Sequence, residues 1–219
     1  MNSPIIQLLV LAGIAVFLFL RLKNVLGTRE GFEGQPQPNQ SRSERSKPDF
    51  EVIEGGPDRD VTDHVEEDSS EARSFADMKR VDSSFSVNDF VQGARGAYEM
   101  IVMGFEQGDL DDIKPFLSAD VFEAFAEVVA SREDQGLKIE AEFIGVRETS
   151  VKGVSFDTGT QLAEISMRFV GEMSSVVRDR GGDIIEGSNT EIKRQKDTWT
   201  FARNMGESDP NWILVATDA

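Results

Sequence analysis

The pattern of apolar and polar positions divides the chain into three parts. Met1–Leu20 contains no charged side chain, and the apolar character ends by about residue 26. Polar and acidic residues dominate residues 27–84, whereas periodic apolar positions return over residues 85–219. This division predicts an apolar anchor over 1–26, a linker over 27–84 and one folded domain over 85–219.

The first part of the predicted domain has the period of helices. Ser86 and Asp89 have the spacing of a capping box, and the apolar positions that follow recur every three or four residues up to Gly108. A short second helix follows, with Pro115 at its first turn or at a break. Ser118 or Asp120 is predicted to begin a third helix, and Gly136 to end it.

After the third helix the apolar period changes from 3.6 to 2. Alternation or β-rich composition predicts strands over residues 137–143, 163–169, 184–192, 198–203 and 212–217. Turns are predicted at Asp179–Asp183 and Asp209–Asn211. Helices followed by hairpin-linked strands predict an α+β fold, in which a helical layer packs against one curved antiparallel sheet.

The apolar N-terminal run is long enough to cross a membrane as a helix. Its membrane-spanning face is predicted to include Ile5, Leu8, Leu11, Ile14, Phe17 and Leu20. The basic residues Arg21, Lys23 and Arg29 come after the run, whereas a signal peptide carries its charge before the apolar core. By the positive-inside rule we expect a single-pass inner-membrane protein with the N-terminus outside. The domain then lies in the bacterial cytoplasm, or on the matrix side in an organelle.

The linker is predicted to be disordered, because it has few apolar residues to offset the entropy of ordering. Asp58, Asp60 and Asp63 lack the glycine and final glutamate of a calcium loop, so we do not predict one. His64 is expected to be solvated. The spacing of Phe75, Met78 and Val81 fits a short amphipathic helix only weakly.

Composition narrows the classes of function. The net charge of −17 argues against binding to a nucleic-acid backbone, and the absence of cysteine excludes disulfides and thiolate chemistry. A single histidine makes serine–histidine catalysis and histidine-rich metal sites poor candidates. Asp197 and Glu164 are interpreted as turn and solvent-face residues. We therefore expect no cofactor and no enzymatic activity.

Two groups of residues are candidates for binding. One would line an apolar pocket, or fill the core: Tyr98, Phe169, Trp199, Phe201 and Trp212. The other is a basic strip, which is either a solvated face or a docking edge for an acidic partner or lipid headgroup: Arg168, Lys193, Arg194 and Lys196.

The domain resembles the Tim44-like domain family. The resemblance lies in Gly93–Ile101, Gly108–Leu110, Pro115–Phe125, Asp197–Arg203 and Asp209–Thr217, in this order. It implies a cone-shaped fold of the nuclear-transport-factor-two or cystatin type around an apolar pocket, and a non-enzymatic role.

The resemblance also implies a place among membrane and translocase proteins, with chaperones and anionic lipid as further partners. We therefore expect a membrane-anchored adaptor for protein translocation or envelope assembly. The alternative is a tethered module that binds lipid or another hydrophobic ligand.

Overall fold

The computed structural model of the protein describes residues 58–218. Its helices are α1 (Arg59–Thr62), α2 (Ser70–Val81), α3 (Val87–Gln107), α4 (Leu110–Ile113) and α5 (Ala119–Gln135), with a 3-10 turn at Lys114–Phe116 between α4 and α5. Its strands are β1 (Lys138–Phe156), β2 (Leu162–Arg178), β3 (Ile184–Asn204) and β4 (Ile213–Asp218). The predicted anchor and residues 27–57 lie outside the described part of the chain.

The capping residues predicted from sequence begin and end the two longest helices. The Ser86 side chain accepts a hydrogen bond from the Asp89 N–H at the start of α3, and Ser118 does the same for Val121 at the start of α5. Gly108 and Gly136 end these helices with positive φ angles of 77° and 69°. This backbone conformation favours glycine because it has no Cβ to clash.

The strands form one antiparallel sheet in the order β1-β2-β3-β4. Asp179–Asp183 makes the predicted turn between β2 and β3, where Gly182 N–H donates to the Asp179 carbonyl at 3.0 Å. The prediction of separate strands over 184–192 and 198–203 is wrong, because β3 runs through both. Its register against β2 shifts between Ser188 and Lys193, and pairing continues on both sides of the shift.

The helices pack against the sheet, which confirms the α+β class. The core joins α3 residues such as Tyr98 and Ile101 to strand residues such as Ile165, Phe169 and Leu214, all of them 1% exposed or less. Burial of these side chains supplies the main free energy that holds the layers together.

The prediction of disorder is wrong for residues 58–84. Phe75 and Met78 on α2 are 0% exposed and belong to the same core as the sheet, and the aromatic rings of Phe75 and Phe85 lie 6.2 Å apart. Their burial offsets the cost of ordering a segment that is otherwise polar. The folded domain therefore begins at least as early as Asp58.

Residues 58–65, here termed the N-terminal clasp, attach to the start of α3 through Asp60. Its carboxylate accepts hydrogen bonds from the N–H groups of Val87 at 2.8 Å and Asn88 at 2.9 Å, and from the Ser86 hydroxyl at 3.0 Å. Lys79 on α2 lies 2.7 Å from the same carboxylate. Asp60 therefore accepts hydrogen bonds from N–H groups that have no partner within α3. It also links the clasp to both α2 and α3.

None of the helices within residues 58–218 is both long and apolar enough to cross a membrane.

Candidate functional site

The five residues predicted to line a pocket form a chain of aromatic contacts. Tyr98 stacks on Phe169 with ring centroids 4.5 Å apart, and its ring lies 4.7 Å from that of Trp199. Phe201 lies 6.4 Å from Trp199. Trp212 joins through Phe90, whose ring is 4.6 Å from Trp212 and 6.1 Å from Phe201.

These aromatic side chains pack on one another, so they fill the space between α3 and the sheet. Two surface depressions in the described part of the chain have other linings. One lies between the residue 62–71 segment and Val151–Lys152, and the other lies at the β3–β4 end around Arg203 and Ile213. The binding role given to the aromatic residues stays a prediction.

A polar contact lies inside this aromatic group. The Tyr98 hydroxyl donates a short hydrogen bond to the Asp197 carboxylate, which also accepts one from the Gln195 side-chain amide at 3.0 Å. Asp197 is only 5% exposed, so the interpretation of this residue as a turn or solvent-face residue is wrong. Glu164, by contrast, is exposed as expected.

Burial and the neighbouring Asp197 carboxylate hold the pKa of Tyr98 far above its usual value. The phenol therefore stays protonated and donates throughout the pH range in which proteins are folded. Gly171 makes room for it, since a Cβ at this position would lie 2.8 Å from the Tyr98 hydroxyl oxygen. The arrangement orients α3 on the sheet. Within residues 58–218 no cluster of His, Asp and Glu side chains is arranged to hold a metal ion.

The sheet places three of the four residues of the predicted basic strip on one face and Lys193 on the other. Arg168 pairs across the sheet with Thr198, and alternation along β3 places Lys196 and Arg194 on the same face as Thr198. Lys193 points to the opposite face, the one that carries Trp199. Arg194 Nε also donates to Glu172 at 2.8 Å, so part of the basic charge is neutralised.

A feature that sequence analysis missed is the uncovered edge of β3. β4 pairs only with Thr198–Ala202, and in the described part of the chain no strand pairs with residues 184–197 on that side. Residues 193–196 are exposed, as is Ile192 at 54%. The run from Lys193 to Asp197 has no apolar alternation, which is why the sequence did not predict a strand there.

The geometry defines this part of the chain as an α+β domain with a filled aromatic interface and an exposed strand edge at β3. The chain belongs to the Tim44-like domain family, because the family model matches residues 71–219. The match begins within α2, which agrees with a domain that starts before Phe85.

One relative is the mitochondrial import inner membrane translocase subunit TIM44-1 of Arabidopsis thaliana. It is 21% identical over an alignment of 162 residues that covers 71% of this chain and 34% of the relative. The chain thus spans about a third of the length of this curated relative. A crystal structure of the intermembrane space region of the chloroplast protein ARC6 aligns with 58% of this chain and 94% of its own, with a TM-score of 0.41 and 12% identity.

Proposed function

We propose that this protein is a membrane-anchored, non-enzymatic adaptor that acts in protein translocation. The observation that carries the proposal is membership of the Tim44-like domain family, together with the likeness to a translocase subunit. The finer features of the proposed fold, a cone of the nuclear-transport-factor-two type, follow from the same resemblance.

The anchor is proposed from the apolar run Met1–Leu20 and the basic residues that follow it. They favour a single-pass protein of the inner membrane whose domain lies in the cytoplasm, or in the matrix of an organelle. Reporter fusions at the C-terminus test this topology. Activity of a cytoplasmic reporter, with none from a periplasmic one, supports it, and the reverse pattern contradicts it.

An adaptor role without catalysis fits the burial and hydrogen bonding of the Asp197 carboxylate. Asp197 accepts hydrogen bonds from Tyr98 and Gln195, and it is only 5% exposed. A general acid or base needs access to a substrate proton, which this position does not offer. Surface contacts with partner proteins are therefore the favoured mode of action.

In-cell crosslinking tests the adaptor proposal. A photo-reactive amino acid is placed at exposed positions of β3 and, as a matched control, at Ser150 on β1. Recovery of translocation-channel components or their chaperones from β3 but not from Ser150 supports the proposal. Failure to recover any component of translocation from either position contradicts it.

The alternative, a tethered module for lipid or another hydrophobic ligand, has a separate test. Native mass spectrometry of the protein released from detergent detects a retained acyl chain as an added mass. A stoichiometric ligand that is lost on Trp199→Ala supports the alternative. A ligand-free protein that takes up no lipid at high concentration contradicts it.

A further inference from the structure

The uncovered edge of β3 has the geometry of a peptide-docking site. Pairing with β4 ends at Thr198, and the preceding stretch from Lys193 to Asp197 continues the same strand without a register shift against β2. A five-residue stretch of strand spans about 17 Å. Its outward N–H and C=O groups stand in line with those that β4 already satisfies.

The side chains along this edge carry a net positive charge. Lys193 and Lys196 form no ion pair within the described part of the chain, and Arg194 shares Glu172 with Arg147. Gln195 turns its amide to Asp197, so it presents no charge. An extended chain that paired here would meet cations on both faces of the sheet, Lys193 on one and Arg194 and Lys196 on the other.

We propose that residues 193–197 of β3 bind an acidic, extended peptide segment of a partner protein, which adds to the sheet in line with β4. The inference rests on the proposed adaptor function, since it names the chemistry of the partner. Main-chain hydrogen bonds supply affinity and the basic side chains select acidic residues. Ile192, exposed beside them, offers an apolar contact at one end.

The same charges exclude a second copy of this chain from the edge. Two copies paired edge to edge would bring Lys193, Arg194 and Lys196 against one another, and like charges on adjacent strands destabilise pairing. Lysine on an exposed edge thus disfavours self-association but still allows an acidic strand to pair there. A lipid surface can neutralise the charges, but its headgroups do not reproduce the alternating donors and acceptors of a strand.

Selection from a display library of short random peptides, with the full-length chain in detergent as bait, tests the proposal. We expect enriched peptides with Asp or Glu alternating with apolar residues. Their affinity should fall about tenfold or more for Lys193→Glu/Lys196→Glu. The matched control Lys138→Glu/Lys152→Glu makes the same charge change on β1 and should bind as the wild type.

Backbone methylation of an enriched peptide distinguishes strand addition from simple charge attraction. N-methyl groups on one set of alternate residues should abolish binding, whereas the other set should be tolerated, because only alternate N–H groups face β3. Equal effects of the two sets, equal binding by the edge variant and the control, or no enrichment of acidic peptides would overturn the proposal.

Two further measurements distinguish peptide docking on β3 from membrane binding and from the proposed adaptor function. Vesicles with anionic lipid that bind through the same lysines, and that no enriched peptide displaces, would assign the edge to a membrane instead. Peptide binding without crosslinks to translocation components would leave the docking edge standing and remove the proposed function. Crosslinks to those components that survive Lys193→Glu/Lys196→Glu would remove the docking edge alone.

Discussion

At the scale of single residues, the contact between Tyr98 and Asp197 joins α3 to the sheet. The two side chains are 99 positions apart in the chain and both are buried. A buried carboxylate is tolerated only if its oxygens are hydrogen-bonded, and here Tyr98 and Gln195 supply a donor to each oxygen. The contact therefore ties the middle of α3 to β3 in addition to the apolar packing of the helix.

Tyr98→Phe removes one of these donors and keeps the ring. We expect the free energy of unfolding to fall by about 1–3 kcal/mol, because one oxygen of a buried carboxylate then lacks a partner. Urea denaturation measures the change. In the Asp197→Asn background the same substitution should cost less, since a neutral amide is cheaper to leave unsatisfied. Equal costs in the two backgrounds would contradict the direct coupling.

Gly171→Ala tests the space that the Tyr98 hydroxyl requires. The added methyl group would lie 2.8 Å from the hydroxyl oxygen and 3.0 Å from a ring carbon, so the ring must move. We expect a loss of about 1–3 kcal/mol in the free energy of unfolding. Gly153→Ala on β1 is the matched control, because its Cβ would meet only an ordinary contact at 4.0 Å, and a similar loss there would contradict the explanation.

The contact between Tyr98 and Asp197 could not be predicted from sequence. Tyr98 falls on the apolar face of a well-patterned helix, so its burial is predictable, but its partner is not. Asp197 sits in the polar run 193–197, where charge density suggests solvent exposure. Only the pairing of β3 with β2, which places Asp197 opposite Phe169, turns this carboxylate inward.

At the scale of elements, the N-terminal clasp depends on one carboxylate. Asp60→Ala removes the hydrogen bonds to Val87 and Asn88 and the ion pair with Lys79. We expect a loss of about 2–3 kcal/mol in the free energy of unfolding. Hydrogen exchange should also speed up at the first turn of α3. Asp63→Ala on the same clasp is an exposed control and should change little.

The clasp should also lose stability in acid. Burial by itself raises the pKa of Asp60, but hydrogen bonds from Lys79, Asn88, Val87 and Ser86 outweigh it and hold the pKa well below its usual value. The folded state therefore binds this proton less readily than the unfolded state. The stabilisation is complete above pH about 4 and is lost as the pH falls below it.

Denaturation curves between pH 7 and pH 2.5 measure this dependence. The wild type should lose more stability than Asp60→Ala over the acidic part of the range, so that the two curves converge. Curves that stay parallel would contradict the role of Asp60, because the other carboxylates are common to both proteins.

Elements with strong local signals were predictable and the others were not. Serine caps and terminal glycines gave the bounds of α3 and α5 to within a residue or two, because these residues satisfy the backbone at helix ends. Helix α2 was only weakly indicated, since its two fully buried residues, Phe75 and Met78, stand among charged and small polar neighbours. That β3 is one continuous strand could not be predicted, because residues 191–196 in its middle are exposed on both faces and show no apolar alternation.

At the scale of the whole molecule, the folded domain is larger than the sequence suggested. Val61 already belongs to the core, and α1 and α2 lie within residues 58–84, which were predicted to be linker. Residues 58–84 are therefore part of the domain.

The clasp also determines where mechanical load enters the domain. A pull along the chain from its N-terminal side arrives at Asp58, which is held by Lys79 at 2.6 Å, and passes through Asp60 to the first turn of α3. The load therefore reaches the helical layer first. If it is resisted at β3, it must then cross the interface between α3 and the sheet, which includes the Tyr98–Asp197 hydrogen bond.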